Sequence, residues 1–308
     1  MPAKIAVVGG VYWDLIFYGL NDPPRPGVEV RTDRFAMTPG GGSYITAVGL
    51  VRLGHQAALW TYVGRDRLGE LLLDAMRRER LDVSGVQRHR TLGTAISVAF
   101  STRGDRGFLT YRGSAAATGT LVRAWSRSAL PRVRHMHFAG VRPPFQPYLR
   151  LLDRLRTAGI TTSLDIGWNP DVYAAPGFRQ IVKRMTIFMP SQREARWFTG
   201  RAHPGEAVRA LAELVPTPVI KLGAQGAVGL ERGRLVRVRP PRVEAVDTTG
   251  AGDAFNAGFL WACLQGAPLA RCLLAGNICG ALSTRAPGGT AAFPTLRELG
   301  AALRKAAR

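Results

Sequence analysis

Residues 246–259 read VDTTGAGDAFNAGF, with Gly250, Ala251 and Gly252 directly ahead of Asp253, where an apolar helical run begins. A turn that only had to bend would not need so many small residues. At a helix start the backbone N–H groups point outward together, with the positive end of the dipole behind them. With no side chains in the way, an anion can sit against that backbone. This is not a P-loop: G-x-x-x-x-G-K-[ST] occurs nowhere in the chain, and no lysine follows these glycines. An anion held beside a carboxylate suits phosphoryl transfer. The amides would stabilise charge on the transferring group while Asp253 takes the proton of the attacking hydroxyl. The plain alternative makes Asp253 the N-cap of the helix, and the stretch by itself leaves both open.

Working outward, helices are predicted over about 252–265, 269–284 and 295–307. PVIKLG (218–223), GAVGLE (226–231) and LVRVRP (235–240) read as strands. Upstream the alternation continues. KIAVVGG (4–10) is a buried strand, SYITAVGLVRLG (43–54) a helix closed by Gly54, and AALWTYVG (57–64) a strand before a helix over about 67–80. HMHFAG (135–140), ITTSLDI (160–166) and MTIFMP (185–190) are strands, with helices near 146–158 and 175–184. This rhythm predicts an α/β fold, a doubly wound and mainly parallel sheet with helices on both faces. Strand-like segments without intervening helices, within about 14–38 and 94–113, predict a small antiparallel β-flap, or lid, with RGDRG (103–107) as a hairpin turn. No repeat or linker divides residues 1–308, so a single domain is expected.

Composition excludes several classes. The chain has 308 residues, 46% of them hydrophobic, and no apolar run approaches the ~18 residues of a membrane span. MPAKIAVVGGVYWDL reads as a first strand and not as a signal peptide, so a cytoplasmic location is expected. Cys263, Cys272 and Cys279 are odd in number and lack zinc spacing; they read as small buried hydrophobes. The net charge of +21 raises nucleic-acid binding as a reading. Yet lysine stands only at positions 4, 183, 221 and 305, so the other 38 of the 42 basic residues are arginine, spread along the chain among acids. That is a compositional bias, not a binding stripe, and no nucleic-acid partner is expected.

DTTGAGDAFNAGF closely resembles the C-terminal signature of the ribokinase-like (PfkB) carbohydrate kinases. The resemblance extends through PGGGSYITAVGLVRLG, YVGRDRLGELL, GDRGFLTYRGSAA, KLGAQGA and NICGALSTRAPGG. It implies ATP-dependent phosphorylation of a sugar-like hydroxyl with Mg²⁺, often with a monovalent cation such as K⁺. Residue by residue, it implies that Asp253 is the catalytic base and that Gly250, Ala251 and Gly252 form the anion hole. Asp14 and the pair Gly40–Gly41 would meet the sugar, with Tyr44 shaping the pocket. Gly223 and Asn277 would line the nucleotide, although Asn277 equally suits a polar residue packed inside a helix pair. Asp247 and Thr249 match positions that hold the monovalent ion.

Three positions depart from the family pattern. Ile45 stands where an asparagine that contacts substrate usually falls. SQRE keeps Glu194, which would order the Mg²⁺ water shell, but has Ser191 for the asparagine on the nucleotide side. Lys221 replaces a common threonine and would either meet nucleotide phosphate or face solvent. The expected reaction is phosphorylation of a primary hydroxyl of a sugar or sugar acid, by a homodimer joined through the apolar lid strands. A nucleoside kinase, with Tyr44 and Ile45 as an apolar wall, and a catalytically weak sugar- or nucleotide-binding regulator are the alternatives. His135 and His137 read as structural, Arg142 and Arg150 as solvated. Asp165 ends a strand, where sites of α/β folds gather, and reads as a supporting residue.

Overall fold

Runs such as IAVVG and AALW, apolar without interruption, suit strands covered on both faces. The computed structural model describes residues 4–102 and 106–306. In chain order its strands are β1 (Ile5–Gly9), β2 (Tyr12–Leu20), β3 (Phe35–Gly40), β4 (Ala57–Gly64), β5 (Asp82–His89), β6 (Ile96–Thr102), β7 (Arg106–Tyr111), β8 (His135–Ala139), β9 (Thr161–Asp165), β10 (Ile187–Phe188), β11 (Thr217–Lys221), β12 (Ala227–Glu231) and β13 (Arg234–Val238). Nine of them form one sheet in the order β13-β12-β11-β10-β9-β8-β1-β4-β5. Its strands are parallel from β11 to β5, and β12 and β13 close one edge antiparallel. β1 shows how alternation feeds two cores. Ile5 and Val7 enter one buried cluster while Ala6 and Val8 enter the other.

Helices cover both faces. Gly42–Arg52, Arg67–Arg78, Ala251–Cys263, Leu269–Ser283 and Leu296–Ala306 pack on one. Thr118–Trp125, Gln146–Thr157 and Pro204–Ala212 pack on the other. The helix expected near 175–184 is two short ones, Pro170–Ala174 and Phe178–Val182, because Pro176 and Gly177 break the run and Gly177 takes φ 93°. Sequence reading did not find β5, whose mostly half-exposed residues carry no apolar run. The helices Thr118–Trp125, Gln192–Thr199 and Pro204–Ala212 were also not expected.

The lid is a separate four-stranded sheet in the order β3-β2-β6-β7, antiparallel at both outer pairs and parallel between β2 and β6. Most of the expected 103–107 turn lies outside the described residues. One lid face leaves Phe17, Phe35, Met37 and Leu109 exposed, and Phe108 is exposed on the other. No helix among the described residues is long and apolar enough to cross a membrane.

Beneath the sheet, Phe178 is fully buried, with ring centroids of Phe198 at 5.3 Å, Tyr173 at 5.4 Å and Phe145 at 6.2 Å. Phe178→Ala opens a cavity in this cluster and is expected to cost about 3–5 kcal/mol of stability. Urea unfolding measures it; a loss under about 1 kcal/mol would show that the cluster collapses onto the gap.

Candidate active site

Gly250 is the N-cap of the helix Ala251–Cys263 and takes φ 73°, in the left-handed region. A Cβ there would also come within 2.6 Å of Ile45 Cδ1 and 2.8 Å of Gly289 Cα. Only glycine turns the chain at this point while lying so close to both. Asp253 therefore sits inside the first turn and is not the cap. The first-turn amides lack partners within the helix, although the Ala251 N–H reaches Thr248 O at 3.3 Å. The Asp253 carboxylate faces Gly42, where an added Cβ would lie 2.7 Å from Oδ1. Both residues line a cavity of about 590 Å³, together with Gly9, Gly10, Tyr12 and Ala139.

Asp14, on β2, is only 7% exposed and lies flat on Gly40, leaving no room for a Cβ there. Burial, and then the charges of Asp253 and Asp247, push its carboxyl up to about 7. Tyr44 is not in the pocket. It is 2% exposed within the core, where burial and Glu79 raise its hydroxyl pKa. Ile45 is also buried, and its Cδ1 supports Gly250 and Gly289 from below. Successive residues on a helix diverge by about 100°, so neither builds the apolar wall expected of them. The tyrosines that line the cavity are Tyr12 and Tyr148. Strand alternation was the available signal, because Tyr12 and Asp14 share one face of β2.

Lys221, at the end of β11, does not face solvent. Its Nζ ion-pairs with Asp165 Oδ2 and lies 3.4 Å from Asn256 Oδ1. Asn256 Nδ2 donates to the same Asp165 oxygen at 2.6 Å. Burial opposes charge on both partners. The pairing outweighs it, holding Asp165 below the usual carboxylate range and raising Lys221. A Cβ on Gly252 would lie 3.3 Å from Lys221 Nζ, which places the ammonium against the helix start. Asn256 escaped sequence reading, although it follows Asp253 by three residues on the same helix.

Asp165 lines the large cavity, while Lys221 lines a second one of about 440 Å³ together with Ser191, Arg193, Arg196 and Gly223. Ser191 and Glu194 form a capping box for the helix Gln192–Thr199. Ser191 Oγ accepts from Glu194 N, and Glu194 Oε2 accepts from Ser191 N at 2.7 Å. Burial, then Asp165, raises the Glu194 pKa. Asn277 is buried and its Nδ2 donates to Val238 O at 2.8 Å, so it fastens a helix to β13. Asp247 clasps two loops, accepting from Thr249 N at 2.9 Å through Oδ1 and from Gly288 N at 2.8 Å through Oδ2.

His135 and His137 are fully buried, and burial lowers them to about 3 and about 4, so both are neutral. Each contacts Ser163 Oγ, at 2.8 and 2.7 Å; among the described residues His137 Nε2 has no hydrogen-bond partner. Arg142 is not merely solvated: it and Arg112 line the large cavity. Neither carried a sequence signal, because each sits in a loop whose neighbours are distant in the chain.

The family description "pfkB family carbohydrate kinase" matches residues 2–296. The chain is 30% identical over 287 residues to 2-dehydro-3-deoxygluconokinase of Bacillus subtilis, covering 88% of this chain and 87% of that protein. It is 28% identical to fructokinase of Escherichia coli, covering 97% and 99%. A solved putative ribokinase II of E. coli, in complex with ATP and Mg²⁺, superposes with a TM-score of 0.81 at 22% identity, covering 98% and 99%.

Asp14 yields a prediction. A carboxyl near 7 in the folded protein, against about 3.9 in an unfolded chain, binds its proton more tightly when folded. Stability should fall as pH rises from about 4 to about 7. Asp14→Asn keeps the shape without the titration, and its thermal stability is expected to lose less between pH 4.5 and 7.5. Equal losses in mutant and wild type would refute the perturbed carboxyl.

Proposed function

The chain belongs to the pfkB family of carbohydrate kinases, and on that footing we propose that it transfers the γ-phosphoryl of ATP to a primary hydroxyl of a sugar or sugar acid. The Asp253 carboxylate on the cavity wall, in the first turn of the helix capped by Gly250, carries the reading. Asp253 takes the hydroxyl proton, the oxygen attacks the γ-phosphorus, and the bond to the β,γ-bridging oxygen breaks as ADP leaves. The amides at Gly250, Ala251 and Gly252 stabilise the charge that builds on the transferring group. Lys221 Nζ, beside Gly252, adds a fixed positive charge on that side. Asp14 and the Gly40–Gly41 backbone hold the sugar hydroxyls.

The cavity at Ser191, Lys221 and Gly223 takes the nucleotide. Mg²⁺ bound with it would neutralise phosphate charge. The buried Glu194 carboxylate, beside Asp165, supplies oxygen donors of the kind a hard cation takes through its water shell. A monovalent ion such as K⁺ would act at the Asp247–Thr249 turn, stiffening the loop that carries Gly250. Lid closure would exclude water, directing transfer to sugar. The nucleoside alternative loses its motive, since Tyr44 and Ile45 are core residues.

Asp253→Asn is expected to lower kcat on the order of 10²–10⁴-fold while ATP binding, followed by calorimetry, stays close to wild type. Near-normal ADP release by the mutant would remove Asp253 as the base. A homodimer through the exposed lid face is part of the proposal. Sedimentation should find a wild-type dimer and a Leu109→Asp monomer, Leu109 being 71% exposed. A wild-type monomer at micromolar concentration would sink the dimer.

A further inference from the structure

The large cavity is lined by groups of both signs. Asp253 is among them, close enough to Asp14 for the two charges to interact, and Asp165 is already neutralised by Lys221. Arg123 lines it too, as do Arg112 and Arg142. Among the described residues neither forms an ion pair with a carboxylate, although Arg52 and Arg184 both find acidic partners elsewhere. Asp171, an acid lining the same cavity, stays beyond ion-pair distance. Arg112 and Arg142 are close enough for the charge of one to disfavour that of the other. Tyr12, on the same cavity wall, is within reach of the charges of both arginines and of Asp14.

The two arginines come from different parts of the molecule. Arg112 follows β7 at the end of the lid, and Arg142 follows β8 on the main sheet. Two unpaired guanidinium groups facing one space are an unfavourable arrangement that a shared anion would reverse. Each planar fork can give a carboxylate or phosphate two parallel N–H donors. A neutral sugar could accept hydrogen bonds from them but would leave both charges unmet on closing the lid. We infer that the substrate carries an anionic group, carboxylate or phosphate, at the end remote from the phosphorylated hydroxyl, gripped between Arg112 of the lid and Arg142 of the sheet domain. This rests on the kinase reading above and narrows it. The reacting hydroxyl lies at Asp253, the polyol along Asp14 and Tyr12, and the anion at the arginines. The same grip would tie lid closure to the correct substrate, since only an anionic sugar links the two arginines.

The test compares ADP release by the wild-type protein with ATP and Mg²⁺ on 2-keto-3-deoxygluconate, fructose 6-phosphate, fructose and ribose. One of the two anionic sugars is expected to exceed both neutral ones in kcat/KM by about 100-fold, two charge-assisted contacts being at stake. Preference for 2-keto-3-deoxygluconate assigns the anion as a carboxylate, and preference for fructose 6-phosphate as a phosphate. Arg112→Gln and Arg142→Gln should each raise KM for that sugar about 10- to 100-fold. KM for ATP should stay as in wild type, and Arg142→Lys should recover part of the loss. If fructose or ribose serves as well as the acids, or the arginine variants keep their KM, the inference falls and the kinase reading stands. If no sugar releases ADP, the kinase reading falls. Calorimetric titration of the four sugars then decides the anion grip alone: binding of an anionic sugar that Arg142→Gln abolishes upholds it, and no preference ends it.

Discussion

The site rests on the close packing of two helices, Gly42–Arg52 and Ala251–Cys263, through small residues. A Cβ on Gly49 would come within 2.6 Å of Ala257 Cβ, and Thr46 Oγ1 donates to Asp253 O at 3.2 Å. Gly42 meets Asp253 while Gly49 meets Ala257, so the helices run in the same direction and their starts converge. Two positive helix ends then face one point, the place where a transferring phosphoryl would collect negative charge. The packing also explains the composition of these helices. From Ser43 to Leu50 every residue is buried, as is Ala254 to Leu260, so neither helix shows a polar face.

A second constraint is the buried ion pair of Lys221 and Asp165. Burying two charges is costly unless each is paired and its remaining hydrogen-bonding capacity is used. Asn256 meets that condition, its amide nitrogen donating to Asp165 and its oxygen facing Lys221. Neutral His137, just behind Asp165, adds no competing positive charge. The pair has one member in each cavity. The two cavities are therefore joined by a single electrostatic element at the start of the helix Ala251–Cys263. On the proposed function, a bound phosphate would compete with Asp165 for Lys221, an exchange that a threonine at this position could not make.

The parts of this design visible in the sequence are those set by local chemistry. Gly250 to Asp253 announces a helix start with open amides, and IAVVG announces a doubly covered strand, because each depends only on neighbouring residues. The sequence reading takes the S-x-x-E spacing of Ser191 and Glu194 only for metal and nucleotide, and the structure also makes it a helix cap. What failed were questions of rotation and of long-range assembly. Tyr44 lies one residue from Ile45, yet the helical step turns it toward Glu79 and away from the cavity. Lys221 could be solvated or functional on sequence grounds. Its partner Asp165 is 56 residues away and appears only when β9 and β11 are laid into one sheet on either side of β10.

Arginine shows the same limit in a sharper form. With 38 arginines spread through the chain, abundance itself hides function, because a surface arginine and a recognition arginine have the same neighbours in sequence. The fold separates them by where they stand. Arg52 bonds both oxygens of Glu79, and Arg184 binds Asp153, as arginines do when they serve structure. Arg112 and Arg142 are brought together from lid and sheet on the wall of one cavity, and among the described residues neither forms an ion pair, although Asp171 shares that wall. Two like charges set side by side become favourable when something negative is shared between them, and the proposed anionic sugar would meet that condition.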